Sequence, residues 1–235
     1  MAKYLIANLH VDMNLYYDRL KNQARKYIVD DNIKADININ FPESFYIKKQ
    51  HENPHLSLDD VEYIFAGGYF YNKIIDFDGF LLHSSAIAKD GNAYLFSAAS
   101  GTGKSTHTQN WIKYFGNDNI TYINDDKPAL RLIDDKFYAF GTPFSGKTDL
   151  STNIKVPLKA IIFIKRGKEN SCKIMDKREA IGKIFEQTVQ PTDIKLMDKF
   201  LSLLDVLLSK ITIYELTCNM DKESAKICYD FINNN

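Results

Sequence analysis

The chain has little of what marks a protein class by composition alone. Its three cysteines, Cys172, Cys218 and Cys228, form no CxxC pair and cannot close a full disulfide set. A disulfide scaffold is therefore not expected, and a reducing cytoplasm is the expected location. The formal net charge is zero, from 30 basic and 30 acidic residues, which argues against a chain held to nucleic acid by bulk charge. No uninterrupted apolar run approaches the roughly 20 residues that span a bilayer, so no membrane partner is expected. The opening MAKYLIANLHVDMN also lacks the apolar stretch and small-residue cleavage site of a signal peptide. Sequence repeats and low-complexity tracts are absent too, which sets aside solenoids and long linkers. What remains is 235 residues with 45% hydrophobic content, enough to bury a core without metal or disulfide support.

Residues 1 to about 55 alternate short apolar stretches (YLIANLHV, KADININ, SFYIKK) with polar breaks, which predicts several strands. Ser57 looks like the cap of a helix through VEYIFAGGYFYNKII. FLLHSSAIA and AYLFSA flank Asp90-Gly91 and predict a hairpin; ALRLI and KFYAFGT around Asp134-Asp135 predict another. A helix is expected from Lys104 to Phe115, stopped by Gly116, followed by the buried strand ITYIND. LKAIIFIKR and ITIYELTC read as further strands. Asp176 opens a helix to about Val189, Pro191 starts a longer one with an apolar stripe from Leu196 to Leu208, and Lys222 to Phe231 closes the chain as a helix. The result is an α/β chain with a mixed sheet, because hairpins interrupt the alternation of a purely parallel one. We expect a β-rich and helical N-terminal elaboration over 1–75 and a core with C-terminal helices over 76–235, which can pack as one compact unit.

Residues 98–106 read AASGTGKST, between a predicted strand and a predicted helix. That context gives a Walker-type loop its physical meaning. Backbone N–H groups turned inward by Gly101 and Gly103 can cradle phosphate oxygens at a helix N-terminus. Ser100, Thr102 and Thr106 complete the cradle, Lys104 can reach the β- and γ-phosphates, and the Ser105 hydroxyl can ligate Mg²⁺. Ala98 stands where the first glycine of GxxxxGK[ST] is expected, which is tolerable if its φ is negative. Asp125 and Asp126 end a strand ~20 residues further on, where carboxylates beside a phosphate loop can hold Mg²⁺ or accept a proton. Adjacent strand residues point to opposite faces, so the two should differ in role.

A two-residue Asp90-Gly91 turn would pair Lys89 with Asn92 and set His83 opposite Ala98, at the mouth of the loop. There an imidazole can bond a phosphate oxygen or tune a base. His107, just inside the loop helix, reads as a surface or adenine-side residue. Lys147, in GTPFSGKT, is a second glycine-flanked lysine. Arg131, Lys165 and Arg166 are candidates to approach phosphates, and the basic excess from Lys155 to Lys183 could form an anion-binding face.

His83, then the loop beginning fifteen positions on, then Asp125-Asp126, resembles the core of HPr kinase/phosphorylase. GTPFSGK is similar to the GTPWxGK stretch of the related phosphoenolpyruvate carboxykinases. The resemblance covers about Asp78 to Arg166 and implies a P-loop kinase fold in which a hairpin leads into the loop. It implies Lys104 on the phosphates, Ser105 with Asp125 or Asp126 on Mg²⁺, the other aspartate as base, His83 near the transferred group, and a nucleotide-binding part for Lys147. Ala98 and Ser84 stand where that family has glycine, and its arginine-bearing signature segment is missing, so HPr itself is not the expected acceptor. Carboxykinases are about twice this length. The expected activity is transfer of the γ-phosphoryl group of ATP to a hydroxyl, a serine of a small molecule, peptide or protein. A non-catalytic nucleotide sensor or an ATPase are the alternatives, and oligomeric state is left open.

Overall fold

Ala7 and Asn8 both take positive φ, and this two-residue turn folds β1 (Ala2–Ile6) back onto β2 (Leu9–Met13). The computed structural model describes residues 2–99, 101–219 and 221–235. Alternate residues Tyr4, Ile6, Leu9, Val11 and Met13 are buried. After α1 (Asp18–Ala24), β3 (Ile37–Ile39) joins parallel to β2. SFYIKK, expected as a strand, instead lies in helix α2 (Glu43–Glu52). Pro42 enters it in extended conformation and Glu43 occupies the first turn, where a carboxylate favours the helix start. Phe45 stacks on Phe41 at 4.5 Å between centroids and meets Phe65 of α3 (Leu58–Lys73) edge-on at 5.5 Å. These aromatic contacts override the strand preference of Phe, Tyr and Ile. The Ser57 cap forms as expected, its hydroxyl accepting the Asp60 N–H at 3.1 Å.

The larger sheet is built from β4 (Gly79–Leu81), β5 (Ser85–Lys89), β6 (Asn92–Ser97), β7 (Thr121–Asn124), β8 (Ala129–Ile133), β9 (Lys136–Phe140), β10 (Lys155–Arg166), β11 (Ser171–Ile174) and β12 (Thr212–Cys218). Its helices are α4 (Lys104–Phe115), α5 (Lys177–Glu186), α6 (Ile194–Lys210) and α7 (Glu223–Asn234). The sheet is mixed, as expected, and β10 is its hub. Its first residues pair antiparallel with β9, and the rest run parallel to β6 on one side and β12 on the other. Ala160 to Ile164 are all buried, the continuous apolar run of a strand covered on both faces. Ile161 and Phe163 face α5 and α6, while Ala160, Ile162 and Ile164 face Trp111 of α4 and Ala225 and Cys228 of α7.

Both hairpins form with the expected two-residue turns, since Asp90 and Gly91, like Asp134 and Asp135, have positive φ. FLLHSSAIA is not one strand. It splits at 82–84, where the His83 N–H donates to the Gln187 carbonyl (2.7 Å) and the Ser84 N–H to the Asp126 carbonyl (3.1 Å). The chain thereby passes from pairing with β8 to pairing with β6 and β7. Helix α6 starts after Asp193, whose carboxylate accepts the Leu196 N–H at 3.0 Å, and not at Pro191. Helix α5 stops at Glu186, which frees Gln187 to meet His83.

Candidate active site

Strand β6 ends at Ser97 and α4 starts at Lys104. Between them Gly101 and Gly103 take φ of 75° and 121°, values that a side chain would strain. Ala98 has negative φ and is buried against the α4 face of the sheet, so it needs no glycine. The first turn of α4 carries no acidic residue to compete for its N-terminal N–H groups. Ser100 lies outside the described residues. Arg166, at the end of β10, donates to the carbonyls of Gly101 (2.5 Å) and Thr102 (3.0 Å), holding the outer side of the loop. Lys104 Nζ donates to the Ala98 carbonyl at 3.1 Å. Burial lowers its pKa, and the opposing pull of the Asp126 and Asp125 carboxylates only partly offsets this.

The two aspartates have different surroundings. Asp125 is 7% exposed, and its partners are hydroxyls. Ser85 donates to Oδ1 at 2.7 Å; Ser105 and Thr148 donate to Oδ2 at 3.3 and 3.0 Å. Asp126 instead sits among charge-bearing groups. His83 Nε2 lies 3.0 Å from its Oδ1, while Lys127 Nζ pairs with Oδ2 and the Tyr63 hydroxyl donates to it at 3.4 Å. Burial raises the Asp126 pKa, but the His83 hydrogen bond and the Lys127 charge outweigh it and bring it down to about 2. Asn124 sets the divergence: its side-chain carbonyl accepts the N–H groups of Asp126 (2.9 Å) and Lys127 (2.7 Å), while its amide donates to Thr142. This Asx-type turn swings Asp126 away from Asp125 at the strand end.

His83 lies beyond the paired register of the hairpin, in the break before β5, so it does not pair with Ala98 as expected and its N–H goes to Gln187 instead. Pairing runs from Lys89↔Asn92 to Ser85↔Phe96 without a bulge, and beyond it Ser97 Oγ donates to the His83 carbonyl at 2.9 Å. The other ring nitrogen, Nδ1, is 3.3 Å from Gln187 Oε1.

The GTPFSGKT segment folds under the carboxylates. Phe144 is fully buried against Tyr63, Phe70 and Tyr71. Gly146 has φ of 74°, and a Cβ there would lie 2.9 Å from Asp126 Cβ. Its N–H donates to the Tyr63 hydroxyl at 2.9 Å. Lys147 is exposed on this turn and forms no ion pair among the described residues; its neighbour Thr148 reaches Asp125 instead.

Other expectations need correction. His107 is a core residue, 2% exposed, with Trp111 Nε1 donating to its Nε2 at 3.0 Å and burial lowering its pKa to about 3. Arg131 points away from the loop, donating to the Phe77 and Ala7 carbonyls and so tying the N-terminal hairpin to the larger sheet. Lys173 and Lys183 pair with Glu215, which neutralises part of the basic stretch. Lys165 and Arg166 do line an open cleft of about 400 Å³ beside the loop, with Ala99, Thr102, Lys183 and Gln187. Sequence reasoning missed Ser85, Thr148, Tyr63 and Gln187. Ser85 and Thr148 lie inside segments already singled out, FLLHSSAIA and GTPFSGKT. Tyr63 and Gln187 arrive from distant helix positions and carry no local signal.

Among the described residues, no group of three or more His, Cys, Asp or Glu side chains could hold a metal by itself. The donor set does fit Mg²⁺ carried by a nucleotide, which commonly takes one or two carboxylates, a hydroxyl, waters and phosphate oxygens. Ser105 Oγ and Asp125, 3.3 Å apart, would supply the hydroxyl and the carboxylate of such a set. No helix among the described residues is long and apolar enough to cross a membrane.

No family model matches the chain, and no curated protein matches it. Among solved structures, the HPr(Ser) kinase/phosphatase from Coxiella burnetii aligns over 66% of this chain and 97% of that one, at 12% identity and a TM-score of 0.35. A likeness of that degree assigns neither family nor activity.

Proposed function

We propose that this chain is an ATP-dependent phosphotransferase that passes the γ-phosphoryl group to an acceptor hydroxyl, a serine. The observation that carries the reading is a pair of unlike carboxylates beside one helix N-terminus: Asp125 bonded to the loop hydroxyl of Ser105, and Asp126, whose charge acts on Lys104, bonded to His83 and Lys127. The N–H groups after Gly101 and Gly103 bind phosphate oxygens, aided by the helix dipole, and Lys104 takes the β- and γ-phosphates. Ser105 and Asp125 would hold Mg²⁺, which would supply charge neutralisation of the phosphates.

Asp126 is left for the acceptor. It orients the hydroxyl; as the acceptor oxygen bonds to the γ-phosphorus and the bond to the leaving ADP oxygen breaks, a carboxylate oxygen takes the proton. A carboxylate with pKa of about 2 is a weak base, which suits a loose transition state in which positioning outweighs proton abstraction. His83 and Lys127 hold the carboxylate and place positive charge or N–H donors near the phosphoryl group.

Labelled ATP, incubated with and without Mg²⁺ in the presence of serine, serine peptides and cell extract, tests the reading. Label is expected on a hydroxyl acceptor, and Lys104→Ala should abolish it. Label released only to water would make the chain an ATPase. Binding without turnover would make it a nucleotide sensor, and absence of Mg²⁺-dependent nucleotide affinity would remove the nucleotide site altogether.

A further inference from the structure

An apolar pocket of about 230 Å³ opens beside Asp126, between α3 and the segment after α5. Its walls include Tyr63, Ile64, Gly67, Gly68, Phe144 and Val189. Two wall residues, Tyr63 and Lys127, also touch the Asp126 carboxylate. A group seated in the pocket is therefore within a side chain's reach of the aspartate that faces the acceptor.

Two adjacent glycines in the interior of a sixteen-residue helix are unfavourable, since only proline is worse there. Gly67 has a packing reason: a Cβ would come within 3.0 Å of the Phe144 ring. Gly68 has none, because a Cβ there would meet nothing within 4 Å. Its bareness keeps the pocket open. Ile64 leaves 47% of its surface exposed at the same wall, an apolar area available for contact. The polar groups of the walls are already engaged: Tyr63 and Lys127 with Asp126, and the Tyr71 hydroxyl with the Lys127 carbonyl and Thr142.

We infer that the pocket receives an apolar side chain of the acceptor, carried by a residue near the phosphorylated serine, so that the acceptor is a peptide segment and not free serine. This rests on the phosphotransferase reading. The volume falls below the ~300–1,000 Å³ of sites for whole drug-sized ligands, and one large aliphatic or aromatic side chain fits it. Free serine has no group that could occupy it.

The test uses peptides with a central serine, alanine elsewhere, and leucine or phenylalanine placed at one flanking position at a time. Transfer is measured as kcat/KM, and binding in the presence of ADP and Mg²⁺ by calorimetry. At one position an apolar residue should improve both by about tenfold or more over alanine, as burial of such a side chain requires. Gly68→Leu, which fills the pocket, should reduce that gain to within twofold, and Val189→Phe should do so from the opposite wall; thermal unfolding checks that each is folded. Transfer without preference among peptides, or better transfer to free serine, would overturn the pocket and leave the kinase reading standing. Gly68-dependent peptide binding without transfer to any hydroxyl would do the reverse, and loss of both binding and transfer would overturn both.

Discussion

His83 Nε2 lies 3.0 Å from Asp126 Oδ1, although the histidine enters from the break between β4 and β5 and the aspartate from the end of β7. The Ser84 N–H to Asp126 carbonyl bond fixes the two backbones, and Gln187 holds the ring from behind. His83 on Oδ1, with Lys127 and Tyr63 on Oδ2, fixes which way the Asp126 carboxylate faces.

If His83 acts by donating to Asp126, His83→Gln should retain part of the transfer rate because its amide supplies an N–H. His83→Ala should lose about a hundredfold or more in kcat, in the range typical for a positioned acid–base partner, about 10²–10⁴. Steady-state kinetics on both variants decide it. Equal activity in His83→Ala and wild type would reduce the histidine to a structural residue.

The aspartates should separate in kinetics as they do in hydrogen bonding. Asp125→Asn leaves Ser85, Ser105 and Thr148 facing an amide, so the Mg²⁺ concentration for half-maximal activity should rise several-fold. Asp126→Asn should lower kcat by about 10²-fold or more with nucleotide affinity nearly unchanged. Mg²⁺ titrations and nucleotide binding on the two variants measure this. Identical phenotypes would mean that the roles are shared.

Much of this site is legible in the sequence because its signals are local. The Asp90-Gly91 turn, with both φ positive, fixes the register as far as Ser85↔Phe96, and the break at 82–84 then brings His83 to Asp126. The strand, the positive-φ turns at Gly101 and Gly103 and the helix from Lys104 form as read because they lie within a few residues of one another. What escaped depends on tertiary contacts. SFYIKK has strand-forming residues, and only packing of Phe45 on Phe65 makes it a helix. His107 sits one turn into the loop helix, where a polar residue suggests the surface, but α7 covers that face and brings Ser224 within 3.4 Å of its Nδ1. β11 is only four residues long and mostly exposed, and its pairing with β12 makes it a strand.

Gly146→Ala tests whether the GTPFSGKT loop positions Asp126. Its φ of 74° penalises a Cβ by about 1–2 kcal/mol, and the added atom would press on Asp126 Cβ from 2.9 Å. Stability in urea should fall by at least that amount, and kcat should fall further than Gly67→Ala lowers it, because only Gly146 abuts the carboxylate. Unchanged kcat with lowered stability would leave the loop as scaffold alone.

The last prediction concerns stability and pH, and it follows from the correction to His107. In the fold, burial keeps this imidazole neutral down to about pH 3, whereas in the unfolded chain it takes up a proton near pH 6.5. The folded-state pKa is thus depressed. Its contribution to stability is complete above about pH 6.5 and declines as the pH falls toward 3, by about 1.4 kcal/mol per pH unit. Asp126 adds little in the upper part of that window, because its carboxylate stays ionised to about pH 2 in the fold and the unfolded group titrates only near pH 4. His107→Gln removes the titration while its side-chain carbonyl can still accept the Trp111 N–H. Trp111 is the single tryptophan and is fully buried, so its fluorescence reports unfolding directly. Urea midpoints measured between pH 7 and 4.5 should fall for the wild type and stay flatter for His107→Gln. Parallel curves for the two would show that the imidazole takes up its proton without unfolding and that α7 does not seal it from water.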